Sequence, residues 1–110
     1  MQDNPYIPEL TDADFRRLID ARKLVVIRFW DKQRDQGREH FINAVNRHPE
    51  IAFAQVTVEA HHTLATRTQS KGAPSFQGWV DGTLFINENG PFDGRQIDDM
   101  ARKMAEALNR

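Results

Sequence analysis

Ser75-Phe76-Gln77-Gly78-Trp79-Val80-Asp81-Gly82-Thr83-Leu84-Phe85-Ile86-Asn87 places two runs of strand-forming residues around a two-residue turn signal. Asp-Gly suits the central positions of a tight hairpin, which require positive φ, and aromatic and β-branched residues fill both flanks. Upstream, Leu24 to Trp30 (LVVIRFW) reads as a buried strand. Ile51 to Val58 reads as another, alternating Ala52, Ala54, Val56 and Val58 against Ile51, Phe53, Gln55 and Thr57. The early strands are joined through Gln36 to Arg47, a helix with Phe41, Ala44 and Val45 on one face, ended at His48-Pro49. A helical connection between one strand pair and a hairpin between the next gives an α/β sandwich with a mixed sheet.

The remaining segments complete the order αβαβαββα. Thr11 caps a first helix in which Phe15, Leu18 and Ile19 recur at helical spacing, with Leu10 stapled onto Phe15. His61 to Ser70 reads as a short polar helix stopped by Gly72. Asp93, with Gln96 three residues on, opens a final helix whose stripe is Ile97, Met100, Ala101, Met104, Ala105 and Leu108. No repeat or low-complexity tract interrupts the 110 residues, so we expect one domain over 1–110, with 1–9 as an extended N-terminal segment.

Composition excludes several function classes. Hydrophobic residues make up 39% and charged residues 28%, an ordinary globular balance, and the net charge of −1 gives no general attraction to nucleic acid or anionic lipid. The longest apolar run, Leu24 to Ile27, is too short to cross a bilayer. Residues 1–9 lack the basic-then-apolar order of a secretory signal, from which a cytoplasmic location is expected. The chain has no cysteine, which removes disulfides, thiolate metal sites and thiol nucleophiles.

In sequence order the chain resembles thioredoxin over about residues 10–108. Phe29-Trp30 is similar to the Phe-Trp that ends the strand before the thioredoxin active site, and Val58-Glu59 to the apolar-acid end of the next strand. An ungapped register then reaches Gly72-Ala73-Pro74-Ser75, which resembles the Gly-Ile-Pro-Thr loop with its cis-proline. It continues through Asp81-Gly82, like the Asn-Gly hairpin, to Gly90 and the last helix. The resemblance implies a thioredoxin-like fold, a mixed sheet of about four strands with helices on both faces.

The same register implies that the chemistry is missing. The two redox cysteines would fall at Arg34 and Gly37, within one helical turn, and the buried aspartate and neighbouring lysine that move the proton at Arg28 and Gln55. Gln33 stands where thioredoxins carry an exposed tryptophan. Attack on a disulfide needs a thiolate, so the expectation is a redox-inactive, non-enzymatic member with no cofactor. What survives is what the backbone requires, and what is lost is what the reaction requires. That split fits natural loss with a binding role kept, as in cysteine-free chaperone or disulfide-isomerase domains. It also fits a synthetic redesign of the scaffold, or a subunit of an oligomer using a sheet edge.

For a binding module, the resemblance gathers Trp30, Gln33, Arg34, Ala73, Pro74 and Gly90 into one groove where an extended protein segment can add like a strand. Arg34 would meet a partner's carboxylate there, or pair with Asp31 or Asp35. Arg28 lies within an apolar strand and needs Asp31, Asp35 or Glu59 beside it. His40, His48, His61 and His62 show no metal-ligand spacing, and Ser70 and Ser75 have no histidine–acid set to activate them. Trp79, Phe85 and Phe92 read as core and hairpin packing. The expected partner is a protein, with neither nucleic acid nor membrane.

Overall fold

The computed structural model describes residues 7–110; the expected N-terminal segment therefore lies outside the described residues over 1–6. The elements follow the expected order: α1 (Asp12–Ala21), β1 (Leu24–Trp30), α2 (Arg38–Arg47), β2 (Ala52–Thr57), α3 (His62–Arg67), β3 (Ser75–Val80), β4 (Thr83–Asn89) and α4 (Gly94–Leu108). The four strands form one mixed sheet in the order β2-β1-β3-β4. β1 runs parallel to β2 and antiparallel to β3, and β3 to β4 is the hairpin, with Asp81 and Gly82 both at positive φ.

Alternation along the strands sorts the interior into two cores. Leu24, Val26, Phe53 and Phe76 meet Phe41 and Ala44 of α2 and Ile97, Met100 and Met104 of α4. Val25, Ile27, Phe29, Ala54 and Val56 meet Phe15 and Ile19 of α1 and Leu64 and Ala65 of α3, with Leu10 in the same core as Phe15. Gly78 lets α4 approach the sheet, because a Cβ there would stand 2.8 Å from Met104 Sδ.

Caps set the helix starts. Thr11 accepts from the Asp14 N–H at 3.4 Å. Asp93 and Gln96 close a reciprocal capping box, with distances of 2.9 and 2.8 Å. α2 starts later than the sequence suggests, at Arg38 instead of Gln36, because Gly37 sits at φ +82°, a left-handed conformation that no helix interior accommodates. α3 is likewise shorter, ending at Arg67, with Gln69 at φ +64°.

Two strand features were not legible in advance. The register shifts between Gly78↔Ile86 and Trp79↔Leu84, so Phe85 is the extra residue of a β-bulge and stands 43% exposed. The hairpin packing expected of Phe85 is therefore corrected. At the other edge, the N-terminal segment lies along β2: Gln55 N–H donates to Pro8 O at 3.0 Å and Leu10 N–H to Gln55 O at 2.9 Å. Glu9 adds a carboxylate that accepts from the backbone and hydroxyl of Thr57.

Candidate functional site

Several of the residues expected to line a groove sit where β1 stops and β3 begins. The register pairs Phe29 with Ser75, so Trp30 and Pro74 are next in line on adjacent strands. The Ala73–Pro74 peptide is cis. Pro74 O accepts from Gly90 N–H at 3.1 Å, which brings the start of the hairpin and its far end together. Gly90 in turn packs against Phe92 and Phe76, whose rings stack with centroids 4.8 Å apart. Among the described residues, neither the N–H nor the C=O of Ala73 has a hydrogen-bond partner.

The loop before Ala73 is braced from within. Ser70 Oγ accepts from Gly72 N–H at 3.2 Å, and the Ser75 hydroxyl donates to Gly72 O. The two serines lie 3.3 Å apart and are spent on this turn. Beneath it, Gln77 is fully buried yet saturated. Its amide donates to Thr68 O at 2.9 Å and approaches Asn87 Oδ1 at 3.4 Å, and its carbonyl accepts from Trp79 Nε1 at 3.1 Å. Asn87 continues to Gln69 O at 2.9 Å. This network ties α3, β3 and β4 together. An isolated glutamine in a β-run gives no sequence signal for it.

The segment 31–37 carries the remaining candidates. Arg34 N–H donates to Asp31 O at 3.2 Å, and the Asp31 carboxylate accepts from Gln33 N–H at 2.9 Å. The Arg34 guanidinium lies 3.5 Å from the same carboxylate and stays exposed, which is the surface ion pair foreseen as its alternative role. Arg34 and Gly37 thus precede α2. The expectation that they share a helical turn is corrected, because the Asp31 turn and the left-handed Gly37 hold both outside the helix. Gly37 approaches Pro91 and Phe92, which sets the start of α2 against the turn that follows Gly90.

Arg28, register partner of Gln55, is buried on the α2 face of β1. Of its three candidate acids it takes Asp35. Glu59 is used elsewhere, accepting from Lys32 N–H at 3.1 Å. The histidines are dispersed as well. His48 contacts Asp98 at 2.6 Å and Glu50 at 3.3 Å, while Arg47 bonds Asp98 at 3.0 Å, clamping the end of α2 to α4. The His48 hydrogen bond, then Arg47, holds the Asp98 carboxyl below the usual aspartate range. Among the described residues, no three His, Asp or Glu side chains gather as a metal site, and no helix is long and apolar enough to cross a membrane.

Solved structures of the same shape include oxidised mitochondrial thioredoxin 3 from Saccharomyces cerevisiae, 21% identical, with a TM-score of 0.73 over 91% of this chain and 94% of that one. Plasmodium falciparum thioredoxin is 15% identical, with a TM-score of 0.80 over 88% and 98%. The chain has the thioredoxin fold. The first thioredoxin domain of mouse protein disulfide-isomerase A4 is also similar, at 17% identity and a TM-score of 0.74 over 87% and 73%. No family model and no curated protein sequence matches. On this thioredoxin fold there is no cysteine, so the chain holds no thiolate with which to attack a disulfide.

Proposed function

We propose that this chain is a non-catalytic module of the thioredoxin fold that binds an extended segment of a protein partner along the Ala73–Pro74 edge, as an adaptor or chaperone. The observation that carries the reading is the unpartnered N–H and C=O of Ala73 beside a braced loop. A backbone pair left open at a sheet end accepts a strand-like ligand without any thiol. Trp30, Pro74 and Gly90 flank that edge. Gln33 and Arg34 belong to the same proposed surface, with Arg34 leaving Asp31 to meet an acidic side chain of the partner.

The test begins with capture of a partner from native extract, followed by a footprint of the complex. Arg34→Glu should weaken the complex by about 1–3 kcal/mol, the scale of a charge-assisted contact and its reversal, while leaving the fold intact. Titration at two salt concentrations should show the loss shrinking at high salt. Unchanged affinity of the variant, or a footprint away from Ala73 and Pro74, overturns the reading.

A further inference from the structure

Among the described residues, Arg28 is the only buried charged side chain, at 1% exposure. A guanidinium presents Nε–H and Nη2–H as a parallel fork that fits the two oxygens of a carboxylate. Here Asp35 takes Nη2 alone. Arg28 Nε is buried with no partner among the described residues, and so is Trp30 Nε1. The guanidinium carbon lies 5.7 Å from the centroids of both the Trp30 and Phe41 rings, so the two orphan donors share one neighbourhood. Buried donors without acceptors are rare and destabilising, and a group that only accepts hydrogen bonds satisfies them.

Asp35 is a poor permanent occupant. Its side chain is 33% exposed, so solvent reaches the ion pair through it. Its second oxygen lies 4.0 Å from Nε of the exposed Arg38, which offers another cation when it leaves Arg28. We infer that Arg28 and Trp30 form a carboxylate-binding site in which Asp35 is the resident ligand. An incoming carboxylate fills the Nε–Nη2 fork and accepts from the Trp30 indole, while Asp35 turns to Arg38. The ligand is a free small carboxylate or an acidic side chain of a peptide. This site does not depend on strand docking at Ala73.

The test uses the intact chain at constant ionic strength, titrated with acetate in one arm and with a blocked tripeptide amide containing glutamate in the other. The Arg28 Nε–H and Trp30 indole N–H resonances are followed by nitrogen-15 NMR. Both should shift together and saturably. Asp35→Asn should bind about tenfold tighter, since removing a competing occupant raises the fraction of open sites. Trp30→Phe should weaken binding severalfold, and Arg28→Met should abolish it. Tighter binding of the tripeptide assigns a peptide ligand, and equal or tighter binding of acetate a free carboxylate. Resonances that stay fixed, shifts matched by chloride, or binding that survives Arg28→Met overturn the inference. Should Asp35→Asn fail to fold, Trp30→Phe with Asp35 intact carries the same decision.

Discussion

Removing Asp35 should cost far more stability than removing Arg28, although both substitutions break the same ion pair. In Asp35→Ala the guanidinium stays charged and buried, with Nη2 joining Nε as an orphan. Breaking a buried pair in this direction costs about 3–5 kcal/mol, and the partial exposure of the Asp35 side argues for the lower end. In Arg28→Met the remaining carboxylate is already open to water and has Arg38 nearby, while the methionine packs between the Trp30 and Phe41 rings. That exchange removes the desolvation of the buried guanidinium and should leave stability within about 1 kcal/mol of wild type. Urea denaturation followed by tryptophan fluorescence measures both, with near-ultraviolet circular dichroism confirming that each variant keeps its packing. Equal losses, or a larger loss for Arg28→Met, would refute the argument that desolvation of Arg28 dominates the pair.

Three further outcomes follow from the geometry. Gln77→Leu orphans Thr68 O and Trp79 Nε1 together and should lose about 2–3 kcal/mol by denaturant titration, whereas a loss under about 0.5 would show that the network is dispensable. Gly78→Ala should be only mildly destabilising in denaturant titration, under about 1 kcal/mol, because the flexible Met104 end can give way. The cost should shrink further when measured in a Met104→Ala background, and an unchanged cost in that background would exonerate Met104. Asp98 is held below its unfolded-state pKa, so its contribution to stability is present above the usual aspartate range and is lost as pH falls through the lowered value. The wild-type advantage over Asp98→Asn should accordingly shrink on acidification, and a difference constant with pH would rule out the His48–Asp98 contact as its source.

The elements that depend on local chemistry were legible in the sequence. Asp81-Gly82 fixed the hairpin, and the Asp93–Gln96 pair fixed the start of α4. Alternation over residues 51–56 sorted the side chains correctly, Ile51 and Phe53 into one core and Ala54 and Val56 into the other. Backbone conformations that override pattern were hidden. Gly37 permits a left-handed conformation without requiring it, and the consecutive apolar Leu84-Phe85-Ile86 does not say which residue bulges out. Of the site, Arg28 announced its need for an acid through its apolar surroundings, but three acids met that need equally. Only the path of segment 31–37, set by the Asp31 turn, selected Asp35. Gln77 was invisible for the opposite reason: besides its neighbour Trp79, its partners Thr68 and Asn87 come from the end of α3 and from β4 and meet it only through the fold.

The segment lying along β2 has a bearing on how copies of this chain can associate. Gln55 has given both its outward backbone groups to Pro8 and Leu10, and Glu9 caps the Thr57 N–H. Among the described residues no further strand follows β4 in the order, whereas the border at β2 is occupied. Head-to-tail growth into a fibre needs two free and complementary borders on every copy. With one border filled by its own chain, any lateral pairing of copies through β4 would close after two.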